Sequence, residues 1–301
     1  MHVKATSSYK TAEDKMFLED WNRQVQSLNG YEYERIEIQT SLGKTVIWGI
    51  NSEKKNLPAL VFFPGARTCA MFLDLDNALG DMKNNFRIFL VEANGQPSLS
   101  DGNSPEIKSD GYGLWAKEVL QKLGLEKANI AGASLGGLIC LRLCIVAPGL
   151  VEKVILLNPA GISPFSMLPK NLFYNILPLV APSRRNVEKF LDKAVFYGET
   201  HRLPQAYKDL VVDYEVHALT RFNAKAQNPA KAIPASDLQK ISSKVYLVLG
   251  DKDLLFPTQK TIAAAKEHIS SLQEVVVLPN VGHGIETSKD AMRAVERMLV
   301  G

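Results

Sequence analysis

Hydrophobic positions in this chain change their period twice. Over residues 9–28 they recur at helical spacing, with Phe17, Leu18, Trp21 and Val25 on one side of a polar stretch, which predicts an amphipathic helix. Residues 31–39 and 44–50 alternate apolar and polar with period two, as in a two-stranded ribbon whose turn lies at Leu42-Gly43. Beyond them come short, nearly continuous apolar runs at 60–63, 86–92, 128–133, 151–157, 245–250 and 274–278. Strands covered on both sides by helices read this way, because neither face meets water. Helical stretches at 112–123, 135–146, 258–268 and 288–299 alternate with the runs. The alternation predicts βαβ units and an α/β fold built on a mostly parallel, doubly wound sheet.

The alternation stops at 161–239, where helical pieces broken by Pro164, Pro169, Pro178, Pro182, Pro204, Pro229 and Pro234 contain no strand-like run. That segment is too long for an ordinary connection and too apolar for a disordered linker. It is expected to be a helical cap inserted into a core domain made of 1–160, with 1–30 as its N-terminal helix, and 240–301. The cap's apolar residues Phe165, Met167, Leu168, Leu172, Phe173, Ile176 and Leu177 would either line a pocket or pack cap against core, and packing is the expectation for most of them.

Composition narrows the range of partners. A chain of 301 residues buries about three quarters of its unfolded surface, so it needs no metal or disulfide to hold it together. The formal charge of +3 is spread along the chain without a basic run or interleaved aromatics, which argues against nucleic acid. The N-terminus has no apolar signal core, and no stretch is apolar for the roughly 18 residues that a membrane span requires, so a cytosolic location is expected. Cys69, Cys140 and Cys144 cannot form a set of pairs. Cys140 and Cys144 share a helical face with no second ligand pair, so they read as buried small hydrophobes, and neither a metal nor a cofactor is expected. Residues 111–116 match G-x-G-x-x-A, but polar residues precede them where a dinucleotide site needs a strand. Gly43-Lys44-Thr45 lacks the upstream glycine of a phosphate loop, and Asp251-x-Asp253 does not continue as a calcium loop.

The chemistry centres on Gly132-Ala133-Ser134-Leu135-Gly136, a G-x-S-x-G between an apolar strand and an apolar helix. Gly132 and Gly136 fit a strained strand-to-helix turn that projects the Ser134 hydroxyl above the sheet edge. A serine hydroxyl is a poor nucleophile near neutral pH and needs a base, with a further group to hold that base. Asp253 follows the run at 245–250, and His283 lies between glycines after the run at 274–278. Taken singly, Asp253 also reads as the cap of a helix starting near Pro257, and His283 as a surface loop residue. The order Ser134, Asp253, His283, each beyond a strand, favours a nucleophile, orienting acid and general base. Asn158 ends the strand after the elbow helix, where some hydrolases place the acid, and is not a carboxylate. Asp251 is expected to shape its turn. His2, His201, His217 and His268 follow no late strand, although His201 and His217 fall in the cap, within possible reach of substrate. Charge building on a carbonyl oxygen requires an oxyanion hole, for which the expected donors are the backbone N–H groups of Leu135 and of Ala66, in the loop Phe63-Pro64-Gly65-Ala66-Arg67-Thr68.

From about Tyr31 onward these residues resemble the α/β-hydrolase superfamily, and within it small bacterial carboxylesterases with a helical cap. Leu123-Gly124-Leu125-Glu126-Lys127 before the elbow and Asn158-Pro159-Ala160 at the start of the cap carry the narrower likeness. Residues 92–98 resemble the family's Asp-x-x-Gly-x-x-x-Ser loop, with Glu92 for Asp and one residue fewer. Pro64 departs from the family pattern, which commonly has His before the oxyanion glycine. The resemblance implies a serine hydrolase acting on a small, partly apolar ester through an acyl-enzyme. Another reaction of the same fold, such as carbon-carbon bond, amide or peroxide chemistry, and a ligand-binding relative without turnover are the alternatives.

Overall fold

The computed structural model describes residues 9–198, 201–222 and 231–301. The reading of the extreme N-terminus, His2 and Pro229 fall outside the described residues. Eight strands form one sheet in the order β1-β2-β4-β3-β5-β6-β7-β8. They are β1 (Glu34–Thr40), β2 (Gly43–Ile50), β3 (Ala59–Phe63), β4 (Arg87–Val91), β5 (Ala128–Ala133), β6 (Val151–Leu157), β7 (Lys244–Gly250) and β8 (Leu272–Leu278). The β1–β2 and β2–β4 pairs are antiparallel and the others parallel. This is the mostly parallel, doubly wound sheet that the apolar runs predict.

The α-helices of the described residues are α1 (Ala12–Asn29), α2 (Met82–Asn85), α3 (Gly111–Lys122), α4 (Leu135–Val146), α5 (Pro169–Val180), α6 (Arg184–Phe190), α7 (Gln205–Arg221), α8 (Ala235–Leu238), α9 (Thr258–His268) and α10 (Lys289–Val300). Successive strand residues point to opposite faces. Leu60 and Phe62 of β3 therefore join one apolar cluster with α1, α7 and α10, while Val61 and Phe63 join the other with α3, α4 and α9. Both faces are dry, which is why these strands read as continuous apolar runs.

Helix α1 starts with a reciprocal cap, Asp14 N–H donating to Thr11 Oγ1 and Thr11 N–H to Asp14 Oδ2, and ends at Gly30 with φ 59°. Its apolar stripe buries Leu18, Trp21 and Val25. Trp21 Nε1 donates to the Leu210 carbonyl at 2.7 Å, and Tyr207 Oη donates to Asn29 Oδ1 at 2.8 Å, so α1 packs on α7 of the inserted segment. Periodicity identifies the buried face of a helix, but its partner is set by the tertiary fold.

Among the described residues, 161–239 contains helices and no strand. Val187, Phe190, Leu191, Tyr207, Val211 and Tyr214 belong to the cluster on one sheet face. The apolar stretch at its start departs from the expected packing. Met167, Leu168, Phe173 and Ile176 are exposed on or beside α5, which packs against α6, while Phe165 packs against Phe256 with ring centres 5.9 Å apart. No helix of the described residues is long and apolar enough to cross a membrane. Cys69, Cys140 and Cys144 are buried free thiols.

Candidate active site

Strand β5 ends in Ser134, whose φ of 51° and ψ of −111° are strained for any residue with a side chain. The surroundings hold this geometry. Ser134 N–H donates to the Leu157 carbonyl at 3.0 Å, and its own carbonyl accepts from Ala160 N–H at 2.9 Å. A Cβ on Gly132 would collide with the backbone of Gly136, and one on Gly136 with the Phe63 carbonyl oxygen. The two glycines therefore let the start of α4 close on the ends of β5 and β3. Ser134 is half-buried, with its hydroxyl above the carboxyl edge of the sheet, where open α/β folds place ligands.

Two later strand ends bring side chains to this hydroxyl. Asp253 stands after β7, and its Oδ1 accepts from Leu255 N–H at 2.7 Å and Phe256 N–H at 3.1 Å. Its Oδ2 is 2.9 Å from His283 Nδ1, and His283 Nε2 is 2.9 Å from Ser134 Oγ. A carboxylate can only accept, so Nδ1 carries the proton and Nε2 presents a lone pair to the serine O–H. Burial on its own lowers the His283 pKa. The neighbouring Asp253 carboxylate, its hydrogen bond and Glu286 outweigh that, and the net displacement is upward. The Phe256 ring lies 5.7 Å from the imidazole, so Phe165 and Phe256 form an apolar wall beside it.

The other residues considered from sequence have separate roles. Asp251 Oδ1 accepts from Asn280 N–H at 2.6 Å and braces the turn. His217 stacks on Phe17 with ring centres 4.0 Å apart and its Nε2 meets the Asp14 carbonyl at 2.8 Å, which ties it to α1. His201 stacks on Phe196 and lies 3.3 Å from Thr287 Oγ1. His268 is the half-buried last residue of α9.

Gly65 lies against the elbow, where a Cβ would be 3.6 Å from Ser134 Cβ. Arg67 N–H donates to Gln96 Oε1 at 2.9 Å, which fastens this loop to 92–98. Among the described residues, the Ala66 and Leu135 N–H groups donate to no other group. Pro64 is buried, and its carbonyl oxygen lies where Gly136 has no side chain.

Two polar residues were missed because their meaning depends on distant segments. Asn158, with φ 39°, accepts from Gly250 N–H at 2.9 Å and donates through Nδ2 to the carbonyls of Gly282 at 2.8 Å and His283 at 3.1 Å. It thereby joins the ends of β6 and β7 to the His283 loop. Replacing Asn158 by aspartate puts an anion against two carbonyl oxygens, and alanine leaves three buried groups unpaired. Each change is expected to cost about 3 kcal/mol and to lower kcat, as thermal unfolding and steady-state turnover would register. Unaltered stability in both variants would contradict this bracing role.

Glu286, three residues after His283, is buried with Oε1 close to Gly65 and Oε2 without a partner. Burial raises its pKa, against the opposing effect of His283. Its negative charge raises the His283 pKa, and a general base works in its neutral form. Glu286→Gln should therefore move the acid limb of the kcat/KM profile to lower pH. A limb that stays in place or moves to higher pH would refute the coupling.

A family model described as alpha/beta hydrolase fold matches residues 100–285. The carboxylesterase YbfK of Bacillus subtilis (strain 168) is 26% identical over 261 residues, covering 85% of this chain and 84% of that protein. Its crystal structure, as carboxylesterase CesB, superimposes with a TM-score of 0.77 at 22% identity over 96% of this chain and 98% of that one. The structure of naproxen esterase, also from Bacillus subtilis, superimposes with a TM-score of 0.79 at 20% identity over 96% and 99% of the two chains.

Proposed function

This chain belongs to the α/β-hydrolase fold family, and from that premise we propose that it is a carboxylesterase-like hydrolase with Ser134 as nucleophile, His283 as general base and Asp253 as the acid that orients it. The observation that carries the reading is the continuous relay at 2.9 Å from Ser134 Oγ to His283 and at 2.9 Å from His283 to Asp253. Ser134 Oγ attacks the ester carbonyl while His283 Nε2 takes its proton. The imidazolium formed is stabilised by Asp253, and the carbonyl oxygen becomes an oxyanion that accepts from the N–H groups of Leu135 and Ala66. As the C–O bond breaks, His283 returns the proton to the departing alcohol and leaves an acyl-Ser134. Water, deprotonated in turn by His283, attacks this acyl group and releases the acid.

Residues 161–239 act as the cap over this site, and the wall formed by Phe165 and Phe256 favours a small, partly apolar ester. The test combines a fluorophosphonate probe with a panel of short p-nitrophenyl esters, matched amides and vinylogous diketones. Stoichiometric labelling of the wild type and fastest turnover of the esters are expected. An unlabelled protein, or diketones cleaved faster than esters, would overturn the reading.

A further inference from the structure

Arg67 stands in the loop of the proposed oxyanion donor Ala66, and its side chain reaches the inserted helices. Its Cζ lies 5.3 Å from the centre of the Phe190 ring, on α6. Its charge acts on two buried groups, lowering the pKa of His283 and of Glu215 on α7. Arg67 therefore lies within electrostatic range of the candidate base and in contact with Phe190 of the inserted helices. It is only half-buried, beside an exposed Ala66, so the space it faces opens to solvent.

This guanidinium lacks a counterion. Among the described residues no carboxylate oxygen lies within 4.0 Å of it, and its side chain donates no hydrogen bond. A cation–π contact with Phe190 does not consume the N–H donors of the guanidinium. A neutral ester offers nothing that requires a full positive charge at this place. Glu215, whose carboxyl feels the charge of Arg67, is buried with Oε2 unpaired. Burial disfavours its charged form and pushes its carboxyl up to about 7, against the opposing effect of Arg67.

We propose that Arg67 is a specificity-determining residue that binds a carboxylate borne by the substrate, making half-esters of dicarboxylic acids, or similarly anionic esters, the preferred class. The guanidinium fork and a carboxylate match in plane and spacing, and the Phe190 ring lies against the guanidinium carbon. Occupancy has a second consequence. An anion at Arg67 offsets the charge that lowers the His283 pKa, so the correct substrate makes the base stronger.

The inference rests on the hydrolase reading, and its test separates the two. The mono-p-nitrophenyl ester of glutaric acid and p-nitrophenyl pentanoate have acyl chains of equal length and differ in the terminal carboxylate. The wild type should favour the half-ester in kcat/KM by about tenfold or more, and Arg67→Gln should lose that preference chiefly through KM, with Arg67→Lys retaining part of it. The same ratio in wild type and Arg67→Gln would overturn the proposal. Calorimetric binding of the glutarate half-ester to Ser134→Ala, with and without Arg67→Gln, gives a readout independent of turnover. About tenfold weaker binding on removal of Arg67 supports the site even if no ester is hydrolysed, and equal or undetectable binding in both overturns it.

Discussion

Ser134→Ala is expected to reduce ester turnover by about a millionfold and to abolish labelling by a fluorophosphonate. The hydroxyl is the atom that bonds to the acyl group, and among the described residues no other side chain is held against His283 Nε2 in its place. What remains after its removal is the contribution of binding and of the oxyanion donors, which in Ser-His-Asp enzymes is a residual 10³- to 10⁴-fold over water. Loss of fold should not account for the effect. The contacts that hold the elbow are backbone contacts, Ser134 N–H to Leu157 and Ala160 N–H to Ser134, and alanine keeps both. Thermal unfolding of the variant close to that of the wild type, together with the kinetic loss, is the expected pair of results. Turnover within a hundredfold of wild type would eliminate Ser134 as nucleophile.

Asp253→Asn should lower kcat by about 10⁴-fold although it removes a single charge and almost no volume. The reason lies in the two N–H groups that face Oδ1. Leu255 N–H and Phe256 N–H both need an acceptor, so the amide oxygen of the variant is held in the Oδ1 position. The amide nitrogen then occupies the position of Oδ2 and donates to His283 Nδ1. Nδ1 becomes the lone-pair nitrogen, and Nε2 carries the proton and directs it at Ser134. In that tautomer the imidazole cannot accept the serine proton, and no carboxylate stabilises the imidazolium. Steady-state kinetics together with the nitrogen chemical shifts of His283 would register both effects. A variant within tenfold of the wild-type kcat would show that another group orients the base.

The architecture was largely legible in the order of the residues. Continuous apolar runs separated by helical periods require strands with two dry faces, and this requirement specifies helices on both sides of a parallel sheet. The elbow was legible for a similarly local reason. Ser134 needs a glycine two residues before it because the strand and helix backbones meet there, within five residues of chain, whereas the glycine two residues after it makes room for the Phe63 carbonyl at the end of β3. The partner of α1 was not legible. Its stripe of Leu18, Trp21 and Val25 announces that a face is buried, but Leu210 of α7, which receives the Trp21 N–H, lies 189 residues away.

The same distinction holds within the site. Asn158 looks inert in sequence because it is not a carboxylate, yet its side-chain amide can both accept and donate, and only the convergence of β6, β7 and the His283 loop gives it three partners. Glu286 and Arg67 carry no signal by spacing, since a carboxylate or a guanidinium takes its meaning from the charges around it and those arrive from separate strand ends. The sequence alone determined the strands, the strained serine and the order of the residues beyond it, because period and turn chemistry are short-range. The tertiary structure alone decided which distant groups face one another, because hydrogen bonds and charges act across space regardless of separation along the chain.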